Sequence, residues 1–169
     1  MRVLGIDPGL RLTGYACVEG DAAREAIVEA GVIRLVRGDR AGPIAPRLVE
    51  LEGDVNDAIE RTRPEVVAVE ALFAHKAFPA TAIAMGHARG VVLLCAARAG
   101  LGVVELPARL VKRAATGSGR ASKEQMQLAV QRIFDLPAPP SPPDVADAIA
   151  IALCGLRRGA SSVADSIDA

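Results

Sequence analysis

Two short apolar runs in this chain each end on an acid. Val3-Leu4-Gly5-Ile6 leads into Asp7, and Val66-Val67-Ala68-Val69 leads into Glu70. A strand apolar at consecutive positions, rather than at alternate ones, needs cover on both of its faces. A chain that holds two such strands has to sheathe a sheet with helices above and below. Pro8-Gly9 stops the first run, and Pro64 precedes the second.

The rest of the chain supplies the partners. Thr13–Glu19 and Val28–Leu35 read as two more strands, and the short turn-rich links favour antiparallel pairing with Val3–Asp7. Gly38–Pro46 reads as a loop. Arg47–Arg61 places Leu48, Leu51, Val55 and Ile59 at helical spacing. After the Glu65–Glu70 strand, Ala80–Ala99 is an Ala- and Gly-rich helix and Gly102–Leu106 a short strand. Ala108–Ala115 and Ser122–Phe134 are helical, with Gly117-Ser118-Gly119 between them. A proline-rich loop, Leu136–Pro143, precedes a last helix over Asp144–Arg158. The expected fold class is α/β, a five-stranded mixed β-sheet flanked by α-helices. No repeat or linker divides the chain, so residues 1–158 read as a single domain, with 159–169 as a small, polar, flexible tail.

Phe73, Phe78, Phe134 and Tyr15 are the only aromatics, so the core falls to Val, Leu, Ile and Ala. Cys17, Cys95 and Cys154 lie far apart in apolar surroundings with no zinc spacing, and read as small buried hydrophobes of a reducing compartment. The start lacks the pattern of a secretion signal, and no apolar run is long enough for a membrane span, so a cytoplasmic location is expected. The formal net charge is zero. Its distribution is uneven: Pro107–Arg132 carries Arg109, Lys112, Arg113, Arg120, Lys123 and Arg132 against Glu124 alone. That stretch suits either a phosphate-facing patch or a solvated helical surface.

The acids carry the chemistry. Asp7 fits a site at a strand end, but Asp-Pro-Gly is also a good turn. Glu70 ends the other doubly covered strand, and residues at the carboxyl ends of neighbouring parallel strands converge on one crevice. Asp144 near a helix start can be a helix-terminus charge. Asp147 has no such reason: it interrupts an apolar helix, Val145–Leu153, with no cation within a turn in sequence. An unpartnered buried carboxylate costs several kcal/mol or takes up a proton, roughly speaking, unless a metal ion compensates it. The i, i+3 spacing puts Asp144 and Asp147 on one side of the helix. Four carboxylates without a His or Cys cluster imply oxygen ligation, hence Mg²⁺ or Mn²⁺, and acidic two-ion sites serve phosphodiester hydrolysis. His75 and His87 read as solvated or interfacial, and His75 lies close enough to Glu70 in sequence to reach a nucleic acid.

In order along the chain, Gly5-Ile6-Asp7-Pro8-Gly9 with Thr13-Gly14-Tyr15, Ala68-Val69-Glu70 with Phe73, Gly86-His87-Ala88-Arg89-Gly90, Val111-Lys112 with Gly117-Ser118-Gly119 and Lys123, and Asp144-Val145-Ala146-Asp147-Ala148 resemble the motifs of the RuvC Holliday-junction resolvases. The resemblance implies a ribonuclease-H-like fold and a homodimer. It implies Mg²⁺- or Mn²⁺-dependent paired nicking of four-way junction DNA, with two ions per site and the RuvA–RuvB branch-migration complex as partner. It also implies Asp7, Glu70, Asp144 and Asp147 as catalytic metal ligands, and Phe73 as an aromatic stacking near the crossover. The DNA contacts it suggests are His75, Lys76, Arg89, Lys112, Arg113, Ser118 and Lys123. Ala77 stands after Lys76 where many members carry Asn, and Val145 replaces the usual Ala.

Three other readings compete. A sugar-kinase or actin-type phosphotransferase opens similarly but needs two such domains. A related nuclease could act on RNA or other DNA branches. A junction-binding module without catalysis would gain from losing negative charge near phosphates, so four retained carboxylates speak against it.

Overall fold

The computed structural model describes the backbone of residues 1–21, 24–36, 42–71 and 79–167, with side chains except at 79–81 and 160–167. The chain runs β1 (Arg2–Asp7), β2 (Leu12–Gly20), β3 (Glu25–Arg34), α1 (Ile44–Thr62), β4 (Val66–Glu70), α2 (Pro79–Arg98), β5 (Gly102–Leu106), α3 (Ala108–Thr116), α4 (Lys123–Ile133) and α5 (Pro143–Ile167). The sheet order is β3-β2-β1-β4-β5. β1, β2 and β3 form an antiparallel meander, while β4 and β5 join β1 in parallel. This is the five-stranded, ribonuclease-H-like arrangement expected from the sequence.

Both doubly apolar strands are covered as their composition demands. On one face Leu4, Ile6, Val67 and Val69 pack with Leu51 and Val55 of α1 and Ala88, Val92 and Cys95 of α2. On the other, Val3, Ala16, Ala68 and Leu106 pack with Ala148, Ile149 and Ala152 of α5, and with Val111 and Met126 of α3 and α4. Cys17, Cys95 and Cys154 are buried and free.

The second face depends on small residues. Gly5 pairs with Ala16 on one side and Ala68 on the other, which makes a shallow seat across three strands. A Cβ on Gly5 would stand 2.4 Å from both the Ala148 carbonyl oxygen and the Ala152 nitrogen. One on Gly14 would stand 2.2 Å from the Asp144 carbonyl oxygen. Side chains alternate across a strand, so Asp7 shares the α5 face with Val3 and Gly5, and Glu70 shares it with Ala68.

Three boundaries differ from expectation. β3 begins at Glu25 rather than Val28, because its pairing with β2 continues through Ile27↔Val18, Ala26↔Glu19 and Glu25↔Gly20. α1 begins at Ile44, directly after Pro43, whose fixed φ is already compatible with a helix start. The last helix does not stop at Arg158 but runs from Pro143 to Ile167. No proline interrupts 159–167, and extending an existing helix avoids the cost of nucleation.

Gly5→Ala should push α5 off its seat. The expected loss is about 1–3 kcal/mol or more, read as a lower urea midpoint with an unchanged slope. A parental midpoint would show that the helix is not seated on Gly5.

Candidate active site

Asp7 and Glu70 are the last residues of β1 and β4, one step beyond the Ile6↔Val69 pair, so the parallel register sets them side by side on the α5 face. Asp144 and Asp147 lie in the first turns of α5, above the same strand ends. Gly14, the β2 partner of Asp7, leaves the room into which Asp144 descends.

The loop after Asp7 is pinned from two sides. The hydroxyl of Thr13, a fully buried residue, accepts from the Gly9 N–H at 3.1 Å and donates to the Gly9 carbonyl at 2.7 Å. From α1, Arg47 Nη1 donates to the Leu10 carbonyl at 2.7 Å. Glu70 is held by the Ala71 N–H, which donates to Leu106 O at 2.9 Å, and by Arg89 Nη1, which donates to the Glu70 carbonyl at 3.2 Å.

Like charges gathered in a half-buried place resist ionisation. Asp7 is pushed up from 3.8 to about 7, first by burial and then by the charges of Asp147, Glu70 and Asp144. Glu70 is raised by burial and by Asp147, while Lys112 opposes the rise. Asp147 is raised by burial and by Asp144, with Lys123 and Lys112 opposing. Lys123 Nζ stands 3.9 Å from Asp147 Oδ2. The sequence near Asp147 offers no cation, but α4 brings one across.

The expected nucleic-acid contacts fall into four groups. Lys112 and Lys123 sit at the rim of the carboxylates, where Lys112 Nζ also donates to the Ala121 carbonyl at 2.9 Å. Arg113 and Ser118 are exposed, and the Ser118 hydroxyl accepts from the Arg120 N–H at 3.3 Å in the α3–α4 loop. Arg89, also expected among the DNA contacts, is only 7% exposed and pairs with Glu105 Oε2 at 2.6 Å. Its guanidinium lies on the inner side of α2 and meets groups of β4 and β5. Phe73, His75 and Lys76 lie outside the described residues.

The donor set suits a hard cation. Four carboxylates, with no thiolate or imidazole beside them among the described residues, form the oxygen donor set that a hard divalent cation takes. Among the described residues no three ligand-type side chains are drawn tightly enough together to hold an ion as they stand. A bound cation would offset the mutual repulsion of such carboxylates and let them draw closer. A family model for the crossover junction endodeoxyribonuclease RuvC matches residues 3–155, nearly the whole domain. The chain belongs to the RuvC family.

Its curated relatives include the RuvC of Rhodopirellula baltica, 46% identical over 153 residues, which cover 90% of this chain and 84% of that protein. The RuvC of Pelotomaculum thermopropionicum is 47% identical over 154 residues, 91% of this chain and 92% of that one. In shape this chain is similar to T. thermophilus RuvC in complex with a Holliday junction substrate, with a TM-score of 0.86, 33% identity and 96% of each chain covered. RuvC proteins are endodeoxyribonucleases with a general requirement for a divalent metal ion. No helix among the described residues is long and apolar enough to cross a membrane.

Reading by residue type passed over Arg47 and gave Thr13 and Gly14 no task beyond a family motif. Arg47 lies 37 residues from the carbonyl it holds, so no local pattern signals it. The signal for Gly14 is its place opposite Asp7, visible only once strand register is known.

Asp7 makes the pH response of the metal-free chain testable. Its folded form binds a proton more tightly than the unfolded chain does, so stability falls as pH rises from 3.8 to about 7 and then levels. Asp7→Asn removes this contribution. The variant should gain melting temperature relative to the parent as pH rises through that window, with little difference below it. A constant difference across the window would contradict the burial of Asp7 among like charges.

Proposed function

We propose that this chain resolves Holliday junctions in DNA recombination and repair, as a cytoplasmic homodimer making paired symmetric nicks near the crossover by metal-dependent phosphodiester hydrolysis. The observation that carries the reading is the meeting of Asp7, Glu70, Asp144 and Asp147 from two strand ends and one helix, with two lysines at the rim. Family membership supports it, as does the likeness to a RuvC solved with a Holliday junction substrate. Residues 1–158 act as one nuclease domain.

Asp7, Glu70, Asp144 and Asp147 would hold two Mg²⁺ or Mn²⁺ ions. Such ions, when bound, activate water and neutralise the leaving oxygen of an in-line displacement. The charge on Lys123 favours ionised Asp147 before an ion arrives, and Lys112 does the same for Glu70. Both ammonium groups, with exposed Arg113 and Ser118, are suited to backbone phosphates. By family resemblance Phe73 stacks on an unpaired base at the crossover, with His75 and Lys76 beside it. The RuvA–RuvB complex is the proposed branch-migration partner.

Asp147→Asn and Glu70→Gln should bind a four-way junction at least as well as the parent, because phosphate repulsion falls. Their cleavage at saturating Mg²⁺ should drop by more than about 100-fold, beyond the effect typical of residues behind a metal ligand. Full cleavage by either variant would remove that carboxylate from the site. A linear duplex and an RNA–DNA hybrid, run beside the junction, test the substrate class.

Two chains are needed because one acidic site makes one nick, while resolution needs two related by a twofold axis. The outer stripe of α2 supports an interface. Ile83 is 62% and Leu94 45% exposed, and both share one helical face with exposed His87 and Gly90. Ile83→Glu should sediment as a monomer at micromolar concentration and lose paired nicking within one binding event. A dimeric, fully active variant would place the interface elsewhere.

A further inference from the structure

Arg89 is a buried cation on the side of the sheet away from the carboxylates, yet its guanidinium reaches the backbone of one of them. Its Nη1 donates to the Glu70 carbonyl at 3.2 Å, and its Nη2 meets Glu105 Oε2 at 2.6 Å. Its side chain is 9% exposed, against 56% for Glu105. A cation so far from water needs a counter-charge, and Glu105 supplies it from the neighbouring strand β5.

The reason lies in the strand ladder. Ala71 N–H points to β5 and bonds Leu106 O, so the Glu70 carbonyl, one residue back, points to β1. The β1–β4 register ends at Ile6↔Val69. The next rung of a parallel ladder would have the N–H of residue 8 donate to Glu70 O. Residue 8 is proline and has no N–H. The turn that releases the Asp7 loop therefore deprives the Glu70 carbonyl of its ladder donor, and Arg89 Nη1 takes that place.

We propose that Arg89 is a positioning residue for the metal site: its guanidinium substitutes for the rung that Pro8 cannot make and fixes the Glu70 peptide, and so its carboxylate, relative to Asp7. This rests on the reading of Glu70 as a metal ligand. Glu105 serves by keeping the guanidinium in place. A planar fork satisfies two acceptors at once, which one ammonium group does less well.

The test measures urea midpoint, junction affinity without metal, Mn²⁺ affinity by calorimetry without DNA, and single-turnover cleavage across Mg²⁺ concentrations. The proteins are the parent, Arg89→Met, Arg89→Lys, Glu105→Gln and Glu70→Gln. Arg89→Met should keep junction affinity within about twofold and lose about 10-fold or more in Mn²⁺ affinity. Its half-saturating Mg²⁺ should rise by a similar factor, and high Mg²⁺ should recover part of the rate. Arg89→Lys should fall between parent and Arg89→Met, and Glu105→Gln, which retains the carbonyl bond, should stay nearer the parent. If Arg89→Met does not fold, Arg89→Lys carries the same comparison. Parental Mn²⁺ affinity and Mg²⁺ half-saturation in a folded Arg89 variant would overturn the proposal, as would losses that merely track the unfolded fraction. Glu70→Gln separates the two claims. If it cleaves like the parent, the ligand assignment falls and takes this proposal with it. If it is inactive while folded Arg89 variants keep the parental metal response, only the role of Arg89 falls.

Discussion

The close approach of α5 to the sheet is the constraint on which the rest of the structure depends. Ala16, Gly5 and Ala68 form a seat across β2, β1 and β4, and Ala148 and Ala152 let the helix lie in it. Any larger side chain at Gly5 or Gly14 would meet the helix backbone itself. The separation between helix and sheet is therefore set by backbone contact, which cannot yield as a flexible side chain can. That separation decides whether Asp144 and Asp147 share a space with Asp7 and Glu70.

Bringing four acids together opposes folding, and the core has to outweigh it. Burial and mutual repulsion raise Asp7, Glu70 and Asp147 above ordinary carboxylates. Lys112 and Lys123 offset part of this, but Lys123 is 68% exposed and its attraction is screened by water. The favourable contribution comes instead from the apolar layers on both faces, where Leu4, Ile6, Val67 and Val69 on one side and Ile149 and Leu153 on the other are almost wholly excluded from solvent. The site is tense without positive charge and rests on a core that is not.

Rigidity at the strand ends comes from groups other than the four carboxylates. Thr13 closes the Gly9 turn, Arg47 holds Leu10, and Arg89 holds Glu70. Two of the three are arginines from the helices on the opposite face, so α1 and α2 steady the loops of a site built on the α5 face. Fixed backbone matters here because carboxylates that repel one another drift apart unless their attachment points cannot move.

Much of this was legible in the residues themselves. Consecutive apolar positions before Asp7 and Glu70 required a sheet covered on both sides, and a lone acid in the apolar run around Asp147 singled that residue out, because hydrophobic periodicity and the cost of a buried charge are local properties of a sequence. The antiparallel meander and the mixed five-stranded sheet followed from the same pattern, while the strand order β3-β2-β1-β4-β5 is set by the tertiary fold. Other features had no local mark. Arg89 looks like any basic residue in a glycine-rich helix, and only the β4 register and the missing N–H of Pro8 show why it turns inward. Lys123 becomes the neighbour of Asp147 because α4 crosses beside α5, and Gly14 matters because Asp144 lies above it. Residue type and spacing determined which groups were present and which surfaces had to be buried. Distances between groups far apart in the chain were decided by how the helices settle on the sheet, since packing is a property of all the side chains at once.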